Sequence, residues 1–437
     1  MQVEAWLQRA VGSAPTRIAL ETPEAGVSYR ELARLAMAGA QELSERGVRS
    51  GERVAIALPA GIEFAQALHA CLLLGAVAVP IDLRLSAAER ESIVGDAVLV
   101  DRPLRSPTAP ETQAETILEG SSHELDDVCA VIHTSGTTSA PRPVELTYGN
   151  FLWSALGSSA ALGVDPEERW LCAMPLSHVG GLSILIRSVI YATTAVVHER
   201  FDTSRVLQAL RRERITLVSL VSTTLARLLD AGLRDPPSLR WALTGGGPLP
   251  TALLERARAA GVPALATYGL TEACSQVSTG GPPLFCTRLK LDGDGEILVG
   301  GPTVAPGSLG PDGWLHTGDL GEIGADGTVS VNGRKADTII SGGENVAPIE
   351  VEGVLEAHPS VIEAAVLGRP DAQWGETVVA IVVASPAAEI EESELRDHCL
   401  ARLAPYKVPK QVRIVSDSLP RTASGKLLRR ELQGISV

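Results

Sequence analysis

The sequence predicts an α/β protein, with a large N-terminal domain of doubly wound sheets plus a β-rich part and a small α+β C-terminal domain. Three observations carry this. The chain of 437 residues is too long for one ordinary core and calls for two or three domains. Short apolar runs of strand length alternate with amphipathic helical stretches through most of its length. From Gly280 to about Val331 the chain turns rich in Gly and Pro, and beyond that its rhythm changes once more.

Taken in order, residues 28–46 place apolar side chains at helical spacing, and 53–58 reads as a buried strand. The greasiest stretch, 67–81, contains His69 and ends near Pro80. It falls short of the roughly 20 residues that cross a bilayer and reads as a buried helix leading into a buried strand. Residues 101–124, polar and Pro-containing, are expected to form a loop. A strand at 128–133 feeds a loop of Gly, Ser and Thr, with helical sequence expected from about Asn150. Strands follow at 169–174, 216–219, 240–244 and 264–267, and a β-like run at 295–299. Helices at 348–358 and 391–403, with strands at 361–367 and 378–383, predict the small α+β domain.

Composition excludes several classes of function. Lys plus Arg number 38 against 52 Asp plus Glu, a net charge of −14, so the chain lacks the basic surface of a nucleic-acid or anionic-membrane binder. A nucleotide in a locally basic cleft remains compatible with that balance. The six cysteines lie far apart with no C-x-x-C pair, which favours reduced, buried thiols over a zinc cage or disulfide framework. The start, MQVEAWLQRA, has no basic region followed by an apolar run, so no signal peptide is read there and a cytoplasmic location is expected. A homodimer is compatible with the sequence, which does not fix the oligomeric state.

Five segments carry candidate chemistry. In the first, His133-Thr-Ser-Gly-Thr-Thr-Ser-Ala-Pro-Arg-Pro-Val144, a strand ends in Gly and hydroxylated residues that offer N–H and O–H donors to phosphate oxygens. It is not a Walker A loop, and a plain surface loop is the alternative. The second, Tyr268-Gly-Leu-Thr-Glu272, sets a hydroxyl beside a carboxylate at a strand's C-terminal end, where α/β sheets bind ligands. Glu272 suits Mg²⁺ and Thr271 a phosphate oxygen; the alternative is a capped helix start. The third, Gly313-Trp-Leu-His-Thr-Gly-Asp319, presents an Asp whose two oxygens match a vicinal diol, or else a turn Asp. The fourth, Asn332-Gly-Arg-Lys-Ala-Asp337 with Ser341-Gly-Gly-Glu-Asn-Val-Ala-Pro-Ile-Glu350, clusters Gly and charge as an interdomain hinge does. The fifth, Pro420-Arg-Thr-Ala-Ser-Gly-Lys426, presents one lysine on a loop, either a solvated surface residue or an ammonium delivered to a phosphoryl group.

In order and spacing the five segments resemble the core motifs of the superfamily of acyl-CoA synthetases, peptide-synthetase adenylation domains and luciferases, and the resemblance spans 29–426. It implies an N-terminal domain over 1–333 and a mobile C-terminal domain over 334–437. It implies that ATP, Mg²⁺ and coenzyme A are bound and that an acyl-adenylate is formed and passed to a thiol. Residue by residue, it puts Thr134, Ser135, Gly136, Thr137, Thr138 and Arg142 around the phosphates, with Thr271 and Glu272 on phosphate and Mg²⁺. Gly245, Gly246, Gly247, Tyr268 and Gly269 would border adenine, and Asp319 and Arg334 would hold the ribose. Lys426 would be the lysine of the adenylation step, and the Gly342-Gly343 loop would face the thiol. Departures are present: Ser139 and Pro143 stand where relatives carry glycine, Ala336 replaces a usual Asp, Lys or Ser, and the chain is short between Thr279 and Trp314. Pro143 removes an N–H, leaving the hydroxyls of 134–138 and Arg142 as the expected phosphate donors.

For the acid, the stretch Trp170-Leu-Cys-Ala-Met-Pro-Leu-Ser-His-Val-Gly-Gly-Leu-Ser-Ile-Leu-Ile-Arg-Ser-Val-Ile-Tyr191 is similar to that of ligases joining 2-succinylbenzoate to coenzyme A in menaquinone synthesis. That likeness implies His178 beside the acyl pocket in a catalytic role, Ser183 near it, and Arg187 as counter-charge to a second carboxylate; for Arg187 a helix-surface position is the alternative. The rival functions are ligation of another aryl or medium-chain acid, loading of a carrier protein, and nucleotide binding without catalysis.

Overall fold

The computed structural model describes residues 1–107, 121–134, 142–247, 249–385, 390–421 and 427–435. Two large sheets organise its N-terminal part. The eight-stranded sheet runs in the order Ser275–Thr279, Ala264–Leu270, Trp241–Thr244, Leu217–Leu220, Arg169–Cys172, Thr194–Val197, Ile18–Glu21, Gly26–Ser28, and is parallel except at its two outermost pairings. The five-stranded sheet runs Val98–Val100, Arg53–Ile56, Val77–Pro80, Val128–Thr134, Arg142–Thr147, with only the last pairing antiparallel.

Helices lie between these sheets because their sequences are apolar on nearly every side. In Ile62–Leu74 every residue from Phe64 to Leu72 is buried, and in Val179–Tyr191 every residue from Gly181 to Ile190. One core cluster joins Val54 and Ile56 of one sheet to Trp170 and Val197 of the other through these helices. The far face of the eight-stranded sheet is covered by Thr203–Arg212, Ser222–Asp230 and Thr251–Ala259, whose Val206, Leu210, Leu228 and Ala257 pack on Leu171, Val196 and Val218. Helices on both faces make this a doubly wound sheet, as expected.

A four-stranded antiparallel sheet, Arg288–Leu291, Glu296–Gly300, Leu315–Ile323, Val329–Arg334, forms the β-rich part. The next strand, Ile339–Ser341, already belongs to the C-terminal sheet with Glu344–Val346, Gly375–Ala384, Val361–Asp371 and Gln411–Val415. Helices Pro348–Glu356 and Glu392–Leu400 supply Val351, Leu355, Leu395 and Cys399 to its own core.

Two expectations need correction. Residues 101–124 are not all loop, since Ser122–Glu124 pairs antiparallel with Gln2–Glu4; 108–120 lie outside the described residues. The segment before Asn150 is a strand, Arg142–Thr147, and the helix starts at Tyr148. Val144 and Leu146 are buried and Glu145 exposed, the period-two pattern of a strand. Thr147 is the helix cap: its hydroxyl accepts from the Asn150 N–H (3.1 Å) while the Asn150 side chain accepts from the Thr147 N–H (2.9 Å). Pro143 sits on this edge strand, where a missing donor is tolerated. All six cysteines are free and buried. Among the described residues no helix is long and apolar enough to cross a membrane.

The C-terminal domain contains one carboxyl with a pH consequence. Burial pushes Glu356 up to about 7 from a usual 4.5, although the Ala364 N–H donates to it. Between those values the folded chain holds a proton that the unfolded chain has released, so stability falls as pH rises through that window. Glu356→Gln is therefore expected to lose this part of the decline. Thermal melts of both proteins between about pH 5 and 8 check it, and parallel slopes would refute the assignment.

Candidate active site

The adenine and ribose candidates converge at the C-terminal ends of Trp241–Thr244 and Ala264–Leu270, joined by the four-stranded sheet. Gly245 follows the first strand so closely against the second that a Cβ there would lie 2.3 Å from Thr267 Oγ1. Gly246 adopts φ +81°, in the left-handed region that favours glycine. Gly269 sits where the pairing of Ala264–Leu270 with Ser275–Thr279 shifts register, and a Cβ would lie 1.7 Å from the Ser275 carbonyl oxygen. Backbone, not a movable side chain, fills that space. Gly269→Ala is expected to destabilise the fold by on the order of 2–3 kcal/mol, measured by urea unfolding; a loss under about 0.5 kcal/mol would contradict the packing.

Tyr268, Asp319 and Arg334 are brought into one contact. Asp319 and Arg334 are directly opposed across Leu315–Ile323 and Val329–Arg334. Asp319 Oδ1 accepts from Arg334 Nε (2.9 Å) and Oδ2 from the Tyr268 hydroxyl (2.9 Å). Burial raises the Tyr268 hydroxyl's pKa, and the Asp319 charge raises it further, so it stays a donor. A carboxylate offers about four lone-pair sites, so these two bonds leave room for both hydroxyls of a ribose. The fit holds.

Thr271 and Glu272 lie in the short 3₁₀ turn Thr271–Ala273, half-buried. The Glu272 carbonyl accepts from the Ala305 N–H (2.8 Å), tying the turn to the connection between Glu296–Gly300 and Leu315–Ile323. The two residues after the turn, Cys274 (φ +50°) and Ser275 (φ +91°), hold left-handed backbone without being glycine. Such strain persists only where neighbours over-determine it. Here Ser154 Oγ donates to the Cys274 carbonyl (2.6 Å) and Arg187 Nη2 donates to Ser154 Oγ (2.7 Å).

That chain of contacts removes the helix-surface alternative for Arg187. It is not on a helix surface: it is 2% exposed, faces the Trp170 ring at 5.8 Å, and has no carboxylate partner among the described residues. Ser183 is fully buried as well. Neither offers an open surface to an acid, because the helix that bears them is enclosed between the two sheets. Burial lowers the Arg187 pKa, the mark of a desolvated cation.

His178 caps the start of that helix and is more open, its side chain 34% exposed and Nε2 4.0 Å from Asp82 Oδ2. Asp82 was not singled out from the sequence, although it follows the buried strand Val77–Pro80 as a ligand-facing residue does. Its burial would raise its pKa, but bonds from Arg84 (2.7 and 2.6 Å) and the nearby His178 hold it below the usual range.

The phosphate candidates Ser135, Gly136, Thr137 and Thr138, and Lys426, lie outside the described residues. Their flanks do not: Val128–Thr134 and Arg142–Thr147 form an antiparallel pair that ends at Thr134 opposite Arg142, with Thr134 Oγ1 donating to the Arg142 carbonyl (3.3 Å). Gly247 is exposed. Gly342 (φ +62°) and Gly343 (φ +88°) form the two-residue turn between Ile339–Ser341 and Glu344–Val346, beside Trp374.

Residues 7–309 match the family model described as AMP-binding enzyme, and residues 350–426 match the AMP-binding enzyme C-terminal domain. The 2-succinylbenzoate–CoA ligase of Bacillus subtilis (strain 168) is 38% identical over 479 residues, covering 98% of this chain and 97% of its own. The structure of o-succinylbenzoate CoA synthetase from Bacillus subtilis in complex with the acyl-adenylate intermediate OSB-AMP has a TM-score of 0.89 at 36% identity. It covers 100% of this chain and 99% of that one. The same synthetase in complex with ATP and a magnesium ion has a TM-score of 0.87 at 36% identity, over 99% and 100%.

Proposed function

Because this chain belongs to the AMP-binding enzyme family, we propose that it converts 2-succinylbenzoate to its coenzyme A thioester at the expense of ATP. The observation that supports this most is the likeness, over the full chain, to a synthetase holding its acyl-adenylate. A carboxylate resists attack by a thiol, so the acid is activated first. A carboxylate oxygen attacks the α-phosphorus of ATP, the bond to the β-phosphate oxygen breaks, and pyrophosphate leaves. The coenzyme A sulfur then attacks the acyl carbon, loses its proton, and AMP departs. No protein nucleophile is required; positioning and charge stabilisation suffice.

In this reading Asp319 and Arg334 hold the ribose and Tyr268 fixes Asp319, while Gly245–Gly247 and Gly269 let the backbone approach adenine. Mg²⁺ would neutralise phosphate charge, held by Glu272, with Thr271 donating to a phosphate oxygen. Thr134, the loop at 135–138 and Arg142 complete the phosphate contacts. His178, oriented by Asp82, borders the acid, and Arg187 supplies positive potential behind it. The C-terminal domain from 334 turns about 335–338, bringing either Lys426 or Gly342-Gly343 to the reaction. The reaction takes place among small molecules in the cytoplasm.

The test is ATP- and coenzyme A-dependent thioester formation across a panel of acids, followed by AMP release. 2-Succinylbenzoate is expected to be turned over far faster than benzoate or a medium-chain fatty acid. Turnover of those acids but not of 2-succinylbenzoate would overturn the substrate, and acylation of a carrier protein with none of coenzyme A would overturn the acceptor.

A further inference from the structure

The C-terminal segment holds a half-buried ionic cluster that the reaction above does not use. Arg429 grips Glu352 of helix Pro348–Glu356 through two bonds, Nη1 to Oε1 at 2.6 Å and Nη2 to Oε2 at 3.0 Å. Its Nη1 also donates to the Val366 carbonyl (2.8 Å), and its Nε lies 3.4 Å from Asp337 Oδ2. Glu352 Oε1 in turn accepts from the Val366 N–H (2.8 Å). Arg429 and Glu352 are 23% and 10% exposed, so the pair is shielded and two-pronged rather than a loose surface contact.

The location gives this cluster its meaning. Asp337 ends the turn Lys335–Asp337, between the last strand of the four-stranded sheet and the first of the C-terminal sheet. Arg429 follows Lys426 by three positions, a span of at most about 11 Å of chain. The other foot of the 422–426 segment is also tied. Arg421 bridges Leu427 in antiparallel fashion, the Leu428 N–H donates to the Pro420 carbonyl (2.8 Å), and Arg421 reaches Glu363 Oε2 at 3.3 Å. Leu419 and Leu432 pack beneath both feet on Ala365, Leu367 and Ile381. Thus the described residues on both sides of 422–426 are tied to the sheet, and Arg429 also to the turn about which the domain would rotate.

We propose that Arg429 is a positioning residue for the adenylation half-reaction: held by Glu352, Asp337 and the Val366 carbonyl, it sets where Lys426 is delivered relative to the interdomain turn. The proposal rests on Lys426 acting in adenylation, and it adds a fixed mooring to what is otherwise a lysine on a loop. A bidentate guanidinium is needed for it, since an ammonium satisfies one oxygen where the fork satisfies two. Misplacement of a reacting group by about 1 Å costs on the order of 10²-fold in rate, so loosening this mooring falls on the adenylation rate.

The experiment uses the full chain and its two half-reactions. Pyrophosphate–ATP exchange with 2-succinylbenzoate reads adenylation, and conversion of pre-made 2-succinylbenzoyl-adenylate plus coenzyme A reads thioester formation. Arg429→Met is expected to lower the maximal exchange rate about 10- to 100-fold, with KM for ATP within about threefold. Its thioester step is expected to stay within about twofold of wild type, and Arg429→Lys to recover only part of the exchange. A purely structural role would depress both half-reactions together, and that outcome, or unchanged exchange, overturns the proposal. If Arg429→Met does not fold, as judged by circular dichroism, Asp337→Asn and Arg429→Lys must show the same one-sided loss or the proposal fails. Lys426→Ala runs in parallel: intact exchange there defeats the lysine's role itself, whereas lost exchange with an unaffected Arg429→Met defeats only the mooring.

Discussion

Lys426→Ala is expected to remove pyrophosphate exchange almost entirely, by on the order of 10²–10³ in rate, while ATP still binds. The separation follows from where each interaction acts. In the proposed reading Tyr268, Asp319 and Arg334, joined in one contact, would hold the nucleotide equally before and during reaction and so contribute to affinity. A loop ammonium that meets the phosphoryl oxygens as charge builds on them contributes only at the transition state, and its loss appears in kcat rather than KM. The same variant is expected to convert pre-made acyl-adenylate to thioester at nearly the wild-type rate, because the proposed domain rotation would withdraw the lysine before the thiol arrives. Exchange near the wild-type rate would remove Lys426 from its role. A variant that also fails on pre-made adenylate would instead place the lysine in both steps.

The half-reactions divide cleanly only if the two parts of the chain are built separately, and much of that plan is legible in the sequence. The parallel strands are readable where they are buried on both faces and apolar, as in Val77–Pro80 at the end of the stretch 67–81. The strand Arg142–Thr147 is missed because its alternation is short and a proline stands at its second position, although Thr147 and Asn150 form a readable cap for the helix after it. Tyr268, Asp319 and Arg334 can be picked out one by one from their motifs. Their mutual contact cannot, since it joins positions 51 residues apart through a sheet register.

Asp82 and Arg429 show a different limit. Each lies outside the motifs, and their local patterns, an aspartate after a buried strand and an arginine in a short helix, do not show which residue they meet. Only packing brings Asp82 to His178, and Arg429 to Glu352 and Asp337. Residues that touch a substrate are bound to short sequence patterns by chemistry. Residues that orient them are bound by geometry alone and can come from any element that folds nearby.

Arg187→Met is expected to lower kcat/KM for 2-succinylbenzoate by roughly 10- to 100-fold while affecting a monocarboxylate of similar bulk far less. The reasoning starts from the cost of the native arrangement. A guanidinium 2% exposed, with no carboxylate partner among the described residues, is a desolvated charge that is costly to keep without a counter-ion. Its retention therefore needs a compensating anion, and the second carboxylate of a diacid supplies one when the acid binds. Contact is not required, because in a poorly solvated interior a cation's field reaches a nearby pocket with little screening. Arg187 has one competing duty: through Ser154 it supports the strained turn after Thr271 and Glu272. The two duties separate by substrate, since a disturbed turn slows adenylation of every acid equally, whereas a missing counter-charge penalises only the diacid. Equal losses for both acids would assign Arg187 to the turn, and a thermal stability at or above wild type in Arg187→Met would confirm that the fold alone does not need the charge.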